Sequence, residues 1–145
     1  MFNKLLVPID GSVTSELAVD RAIALAKAFS GTVRLLYVVD PYPFSGVGEG
    51  FAYGLTEYLN AARAEAETAL ESARTKVQAA GVDVSTAMVE ATAVWRGILD
   101  AASGNSTDLI VMGSHGRSGI EKLVLGSVAQ RVVAQAAIAV LVVRG

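Results

Sequence analysis

Short apolar runs alternate along the chain with longer stretches of helical spacing. Residues 4–9 (KLLVPI) are apolar and end at Asp10-Gly11-Ser12. Residues 32–39 (TVRLLYVV) are rich in β-branched side chains. Both read as strands, as do residues 83–90 (DVSTAMVE), 108–112 (DLIVM) and 139–143 (AVLVV). Residues 15–29 set Ala18, Ala22, Leu25 and Phe29 at helical intervals before Ser30-Gly31 stops them. Residues 57–80 give the clearest helix. There Leu59, Ala62, Ala66, Leu70, Ala73, Val77 and Ala80 recur three and four residues apart, and Gly81 supplies the cap. A short helix is expected over residues 94–102, with Trp95 packed at its start. Another is expected over residues 126–135, with Leu125, Val128 and Val132 facing inward. Residues 40–54 carry Pro41, Pro43, Gly46, Gly48, Gly50 and Gly54, so a long loop is expected.

Strands alternating with helices predict an α/β fold. The expectation is a single doubly wound, five-stranded parallel sheet with helices on both faces, Rossmann-like. No internal repeat or linker is visible, so residues 1–145 read as one domain. Composition sharpens this. Hydrophobic residues make up 52% and charged residues 18%, which fits strands buried on both faces and hints at an oligomer. No apolar run approaches the ~18 residues of a membrane span, and no signal peptide is recognisable. A formal net charge of −2 gives no electrostatic footprint for nucleic acid. Cysteine is absent, which excludes a disulfide scaffold, a thiolate metal site and a cysteine nucleophile. It also fits a cytoplasmic location. The lone histidine, His115, excludes a multi-histidine metal site within one chain.

In a doubly wound sheet, ligands bind beyond the carboxyl ends of the strands where strand order reverses. Two strand ends carry suitable chemistry. The first ends Pro8-Ile9-Asp10-Gly11-Ser12. Pro8 is out of place in a central strand and marks either that site or an early strand end. Asp10 is either a contact for a ribose hydroxyl or a cation such as Mg²⁺, or a turn residue with Ser12 or Ser15 capping the following helix. The fourth strand ends Met112-Gly113-Ser114-His115-Gly116-Arg117, and Gly126-Ser127 opens a helix ten residues after Gly116. Glycines let backbone N–H groups approach an anion, and a helix start adds free donors and a favourable dipole. Gly113, Gly116, Gly126 and Ser127 therefore read either as a phosphate cradle or as turn residues. Ser114, His115 and Arg117 read as support for that loop. No P-loop, G-x-G-x-x-G after a suitable strand, or G-x-S-x-G occurs.

The chain resembles the universal stress protein family. Residues 112–116 (MGSHG), 125–128 (LGSV), 4–12 (KLLVPIDGS), 35–40 (LLYVVD) and 140–144 (VLVVR) carry the likeness. The resemblance implies strand order 3-2-1-4-5 and ATP bound through a G-2x-G-9x-G-[ST] pattern, matched by Gly113, Gly116, Gly126 and Ser127. It implies Asp10 at the ribose or the Mg-phosphate side and the Val38 backbone at the adenine. Pro8 and Met112 would line the base pocket, and the Val128 N–H would meet phosphate. It also implies a homodimer through antiparallel pairing of Val140, Leu141, Val142 and Val143, whose apolar edge needs covering. Two departures stand out: residues 136–139 are AAIA where relatives often carry proline, and Ala91 and Ala93 replace a usual Gly and Pro. The expected role is a nucleotide-dependent stress-response module with no catalytic residue, residues 40–54 serving as a lid, a protein-partner surface or a spacer. Rival readings are a slow ATPase using His115 or Asp10, and a nucleotide-free dimeric scaffold. AMP or a cyclic nucleotide in place of ATP stays open.

Overall fold

The computed structural model describes residues 1–41, 49–115 and 125–145. The elements run β1 (Lys4–Pro8), α1 (Val13–Phe29), β2 (Thr32–Val39), α2 (Glu49–Ala79), β3 (Val84–Glu90), α3 (Val94–Gly104), β4 (Leu109–Gly113), α4 (Ser127–Gln135) and β5 (Ala139–Val143). All five strands join one parallel sheet in the order β3-β2-β1-β4-β5. The chain moves outward from β1 to β3, then returns to add β4 and β5 on the other side. Crossovers of one hand that change their direction of travel must change faces. Hence α1 and α2 cover one face, and α3 and α4 the other.

Side-chain alternation builds both cores. Leu5, Val7, Leu35 and Val111 pack beneath α1 and α2, against Ala18, Val19, Ala22, Ala66, Leu70 and Val77. Leu6, Leu36, Ile110 and Met112 pack beneath α3 and α4, against Ile98, Ala102, Ala129 and Val132. The central strands are therefore apolar at nearly every position, as burial on both faces requires. Phe29 lies 38% exposed at the end of its helix and meets Phe2 edge-on at 5.6 Å, instead of joining the core.

One expectation needs correction. Residues 49–54 are not loop: α2 begins at Glu49, eight residues before the expected start at Glu57. Gly50 and Gly54 each cost about 1 kcal/mol relative to alanine in a helix. Extending a nucleated helix adds one hydrogen bond per residue, so these glycines are carried by a helix anchored farther along its length. Phe51 and Tyr53, expected in a lid, belong to the α2 backbone. Residues 42–48, with Phe44, lie outside the described residues.

Turns are set by local chemistry. Ser12 caps α1, its Oγ accepting from the Ser15 N–H at 3.2 Å, and Gly11 takes φ +81° between strand and cap. Gly81 also adopts φ +81°, just past α2. Gly31 has a steric reason. A Cβ there would lie 2.7 Å from the Phe2 carbonyl oxygen and 3.1 Å from that of Asn3. Gly31→Ala should therefore cost about 1–3 kcal/mol through overpacking. Urea unfolding with an unchanged m-value checks this, and an unshifted midpoint would refute it.

Candidate functional site

A cleft of about 350 Å³ opens at the carboxyl end of the sheet, between β1 and β4. Its origin is a hydrogen-bonding detail. In a parallel strand, successive residues turn their backbone groups to opposite neighbours. The Lys4 carbonyl accepts from the Asp108 N–H on the β4 side (3.0 Å), and the Ile9 N–H donates to the Leu36 carbonyl on the β2 side (2.8 Å). Pro8 therefore faces β4, where it has no N–H to offer. The β1–β4 register holds Leu5 against Leu109 and Leu6 against Ile110, whereas pairing with β2 continues to Pro8. The two strands part where the donor is missing.

The β1–α1 turn forms one wall. Asp10 Oδ1 accepts from the Ser12 N–H at 2.9 Å, so the carboxylate shapes the turn while lining the cleft. Ser15 is buried beneath it, its Oγ donating to the Ser12 carbonyl at 2.9 Å. The floor is apolar, from Pro8, Val38 and Met112. Val38 shares the strand parity of Leu36, so its backbone N–H and C=O turn to the β1 side at the level where β1 has ended. Gly97 lets α3 settle onto this floor: a Cβ there would stand 3.0 Å from Val38 Cγ1 and 3.2 Å from Ala91 Cβ. Val94 and Ile98 of α3 line the same wall.

The β4 end is a hub. Ser114 is 1% exposed; its N–H donates to the Val143 carbonyl (2.8 Å), and its carbonyl accepts from the Gly126 N–H (2.8 Å). Its Oγ lies 2.9 Å from His115 Nδ1. Ser114 thus supports the loop from within and ties the start of α4 to the end of β4. Thr14 Oγ1 donates to the His115 carbonyl. Thr14 also explains Gly113, where a Cβ would sit 2.7 Å from Thr14 Oγ1 and 2.9 Å from its carbonyl carbon. His115 Nε2 is buried without a hydrogen-bond partner among the described residues and borders the cleft. A buried polar atom of this kind calls for a partner.

Opposite, α4 begins at Ser127 with Gly126 as N-cap and no capping side chain. Among the described residues no side chain caps its first turn, and Ser127 and Val128 border the cleft. Pro8, Asp10, Val38, Met112, Gly113, Ser114, His115, Gly126, Ser127 and Val128 thus converge on one space. Gly116 and Arg117 lie outside the described residues. Val140 to Val143 stand apart, on the β5 edge. Tyr37, Val94, Ile98 and Thr14 were not foreseen. Their only sequence signal is apolar or small-polar character, because each reaches the site through contacts distant in the chain. Among the described residues no three His, Cys, Asp or Glu side chains stand together for a metal, and no helix is long and apolar enough to cross a membrane.

The fold and cleft define a doubly wound α/β protein with an open cleft at its switch point. Residues 1–144 match the model of the universal stress protein family, and the chain belongs to that family. It is 38% identical to universal stress protein MJ0531 of Methanocaldococcus jannaschii, over 99% of this chain and 83% of that one. It is 34% identical to universal stress protein YxiE of Bacillus subtilis, over 99% and 100%. Among solved structures, universal stress protein UspA from Lactobacillus plantarum superposes with a TM-score of 0.88 at 27% identity, covering 99% of this chain and 98% of that one. A universal stress protein in complex with cAMP superposes with a TM-score of 0.73 at 26% identity, over 99% and 97%.

Gly113→Ala should destabilise the fold by about 1–3 kcal/mol by overpacking against Thr14. Thermal and urea unfolding test this; unchanged stability would remove Thr14 as the reason for this glycine.

Proposed function

We propose that the chain binds an adenine nucleotide in the β1–β4 cleft and acts as a nucleotide-dependent stress-response module. The observation that carries this is convergence: an apolar floor and, among the described residues, an uncapped helix start and an unmet imidazole nitrogen border one opening. A volume of about 350 Å³ lies within the ~300–1,000 Å³ range of small-molecule sites.

The parts divide the ligand between them. Pro8, Val38 and Met112 take the base, with the Val38 main chain providing a donor and an acceptor for its polar edge. Asp10 takes the ribose side. The N–H groups of Ser127 and Val128, at the positive end of α4, take phosphate, and His115 Nε2 gains a ligand oxygen as partner. Any Mg²⁺ arrives with the phosphates, with Asp10 the carboxylate nearest to meet it. The cAMP complex of a relative supports an adenine nucleotide as the ligand class. ATP is the nucleotide we favour, because Gly113, Gly116, Gly126 and Ser127 match the sequence pattern that the family resemblance links to ATP.

Denaturing the purified protein should release bound adenine nucleotide, and calorimetry with ATP·Mg²⁺ should give heat. Neither result up to millimolar ATP would remove the reading. Gly126→Asp should abolish binding by placing a carboxylate against the phosphate position. Unchanged affinity would show the phosphates lie elsewhere.

We also propose a homodimer through β5. Among the described residues this strand pairs with β4 along one side only, and Leu141 is 38% exposed. An apolar edge strand calls for a covering partner. Sedimentation at micromolar concentration should give a dimer, and Val142→Pro should give a monomer. A wild-type monomer would refute the dimer.

A further inference from the structure

Trp95, the only tryptophan of the chain, does more than pack at a helix start. The Arg96 guanidinium carbon lies 4.7 Å from its ring centroid and that of Arg131 lies 5.3 Å away. Arg96 is the next residue of α3, whereas Arg131 comes from α4. The indole therefore joins the two helices that cover this face of the sheet. Both distances fall within the ~6 Å of a cation–π contact. Neither arginine has an ion-pair partner among the described residues, so neither is drawn away from the ring.

The position of this clasp matters. Val94 and Ile98, one turn apart on α3, line the cleft, and Trp95 directly follows Val94. Ser127 and Val128 line it from α4, and Arg131 lies one turn farther along the same stripe. Each half of the clasp is thus continuous with a cleft wall. Neither wall is fastened by a side-chain cap: Ala93 and Gly126 make no capping side-chain bond, whereas Ser12 caps α1. A relative shift of α3 and α4 changes the width of the cleft and the Trp95–Arg131 distance together.

The geometry points to Trp95 and Arg131 as positioning residues that hold α3 and α4 at the separation the nucleotide needs. Ligand occupancy and the clasp are then thermodynamically linked. If the clasp favours binding by some factor, bound nucleotide favours the clasp by the same factor. This rests on the adenine-nucleotide reading of the cleft. It adds that the α3–α4 gap is a tuned part of the site, and that Trp95 reports occupancy at the surface.

The test uses the full chain with ATP·Mg²⁺ as probe. Calorimetry gives the wild-type affinity, and Trp95 emission is followed through the same titration. The emission should change with the calorimetric midpoint. Arg131→Gln and Trp95→Leu should each weaken binding roughly two- to five-fold, the size of a partly exposed cation–π contact. The double variant should lose no more than either single one, because both break the same contact. Arg131→Lys should recover part of the loss. A simple charge effect of Arg131 on phosphate would instead leave Trp95→Leu at wild-type affinity and the double variant additive. Arg74→Gln, on α2, is the control and should bind as wild type. If Trp95→Leu fails to fold, Trp95→Phe replaces it and should fall between Leu and wild type. Absence of heat with wild type overturns both the nucleotide reading and this inference. Heat with unchanged Trp95 emission, or with Arg131→Gln at wild-type affinity, overturns the inference alone.

Discussion

A buried backbone donor or acceptor must find a partner, and that obligation sets where this sheet can open. In a five-stranded parallel sheet every central residue faces a neighbour that expects a hydrogen bond. Pro8 faces β4 with nothing to donate. Parting β1 from β4 at that level leaves no β1 N–H unsatisfied there. The reversal of strand order occurs at the same pair of strands, so the crossovers on either side move away from each other. The opening follows from topology and from one missing hydrogen, and the walls of the cleft are arranged around it.

The walls differ in how they are held. On the β1–α1 side, Asp10, Ser12 and Ser15 form a closed set of local hydrogen bonds, and the α1 start is capped. At the β4 end, Ser114 satisfies its own N–H, carbonyl and hydroxyl within the protein and fastens α4 through Gly126. The opposite wall is built of helix starts without capping side chains, laid against Val38 through Gly97 and against each other through Trp95. The α1 start is held by local hydrogen bonds, the α4 start by its bond to Ser114, and α3 by packing on Val38.

The charged contacts on the surface play a smaller part. Arg63–Glu90 and Lys76–Asp20 link α2 to the end of β3 and to α1, but all four side chains are about half exposed. Such pairs contribute at most about 1 kcal/mol. The apolar stripe of α2, from Ala66 through Leu70 to Val77, holds that helix in place.

Much of this was readable from residue order. Period-two and period-3.6 patterns are local, so the five strands and four helices emerged from the chain alone. The turn chemistry at Ser12 and Gly81 emerged the same way. The start of α2 did not: Gly50 and Gly54 resemble a loop until the length of the helix that carries them is known. The site divided similarly. Asp10, Ser114, His115, Gly126 and Ser127 announced themselves as polar or flexible residues at strand and helix ends. The glycine at 113 was visible, but its reason was not, because Thr14 lies about a hundred residues away in the chain. Gly97 against Val38, the Thr14 bond to the His115 carbonyl and the indole shared by α3 and α4 left no pattern to read. Local order specifies which elements form and which ends carry chemistry, since those depend on neighbours a few residues apart. The width of the cleft and what holds it depend on side chains that meet only after the sheet has assembled, and only the folded chain brings them together.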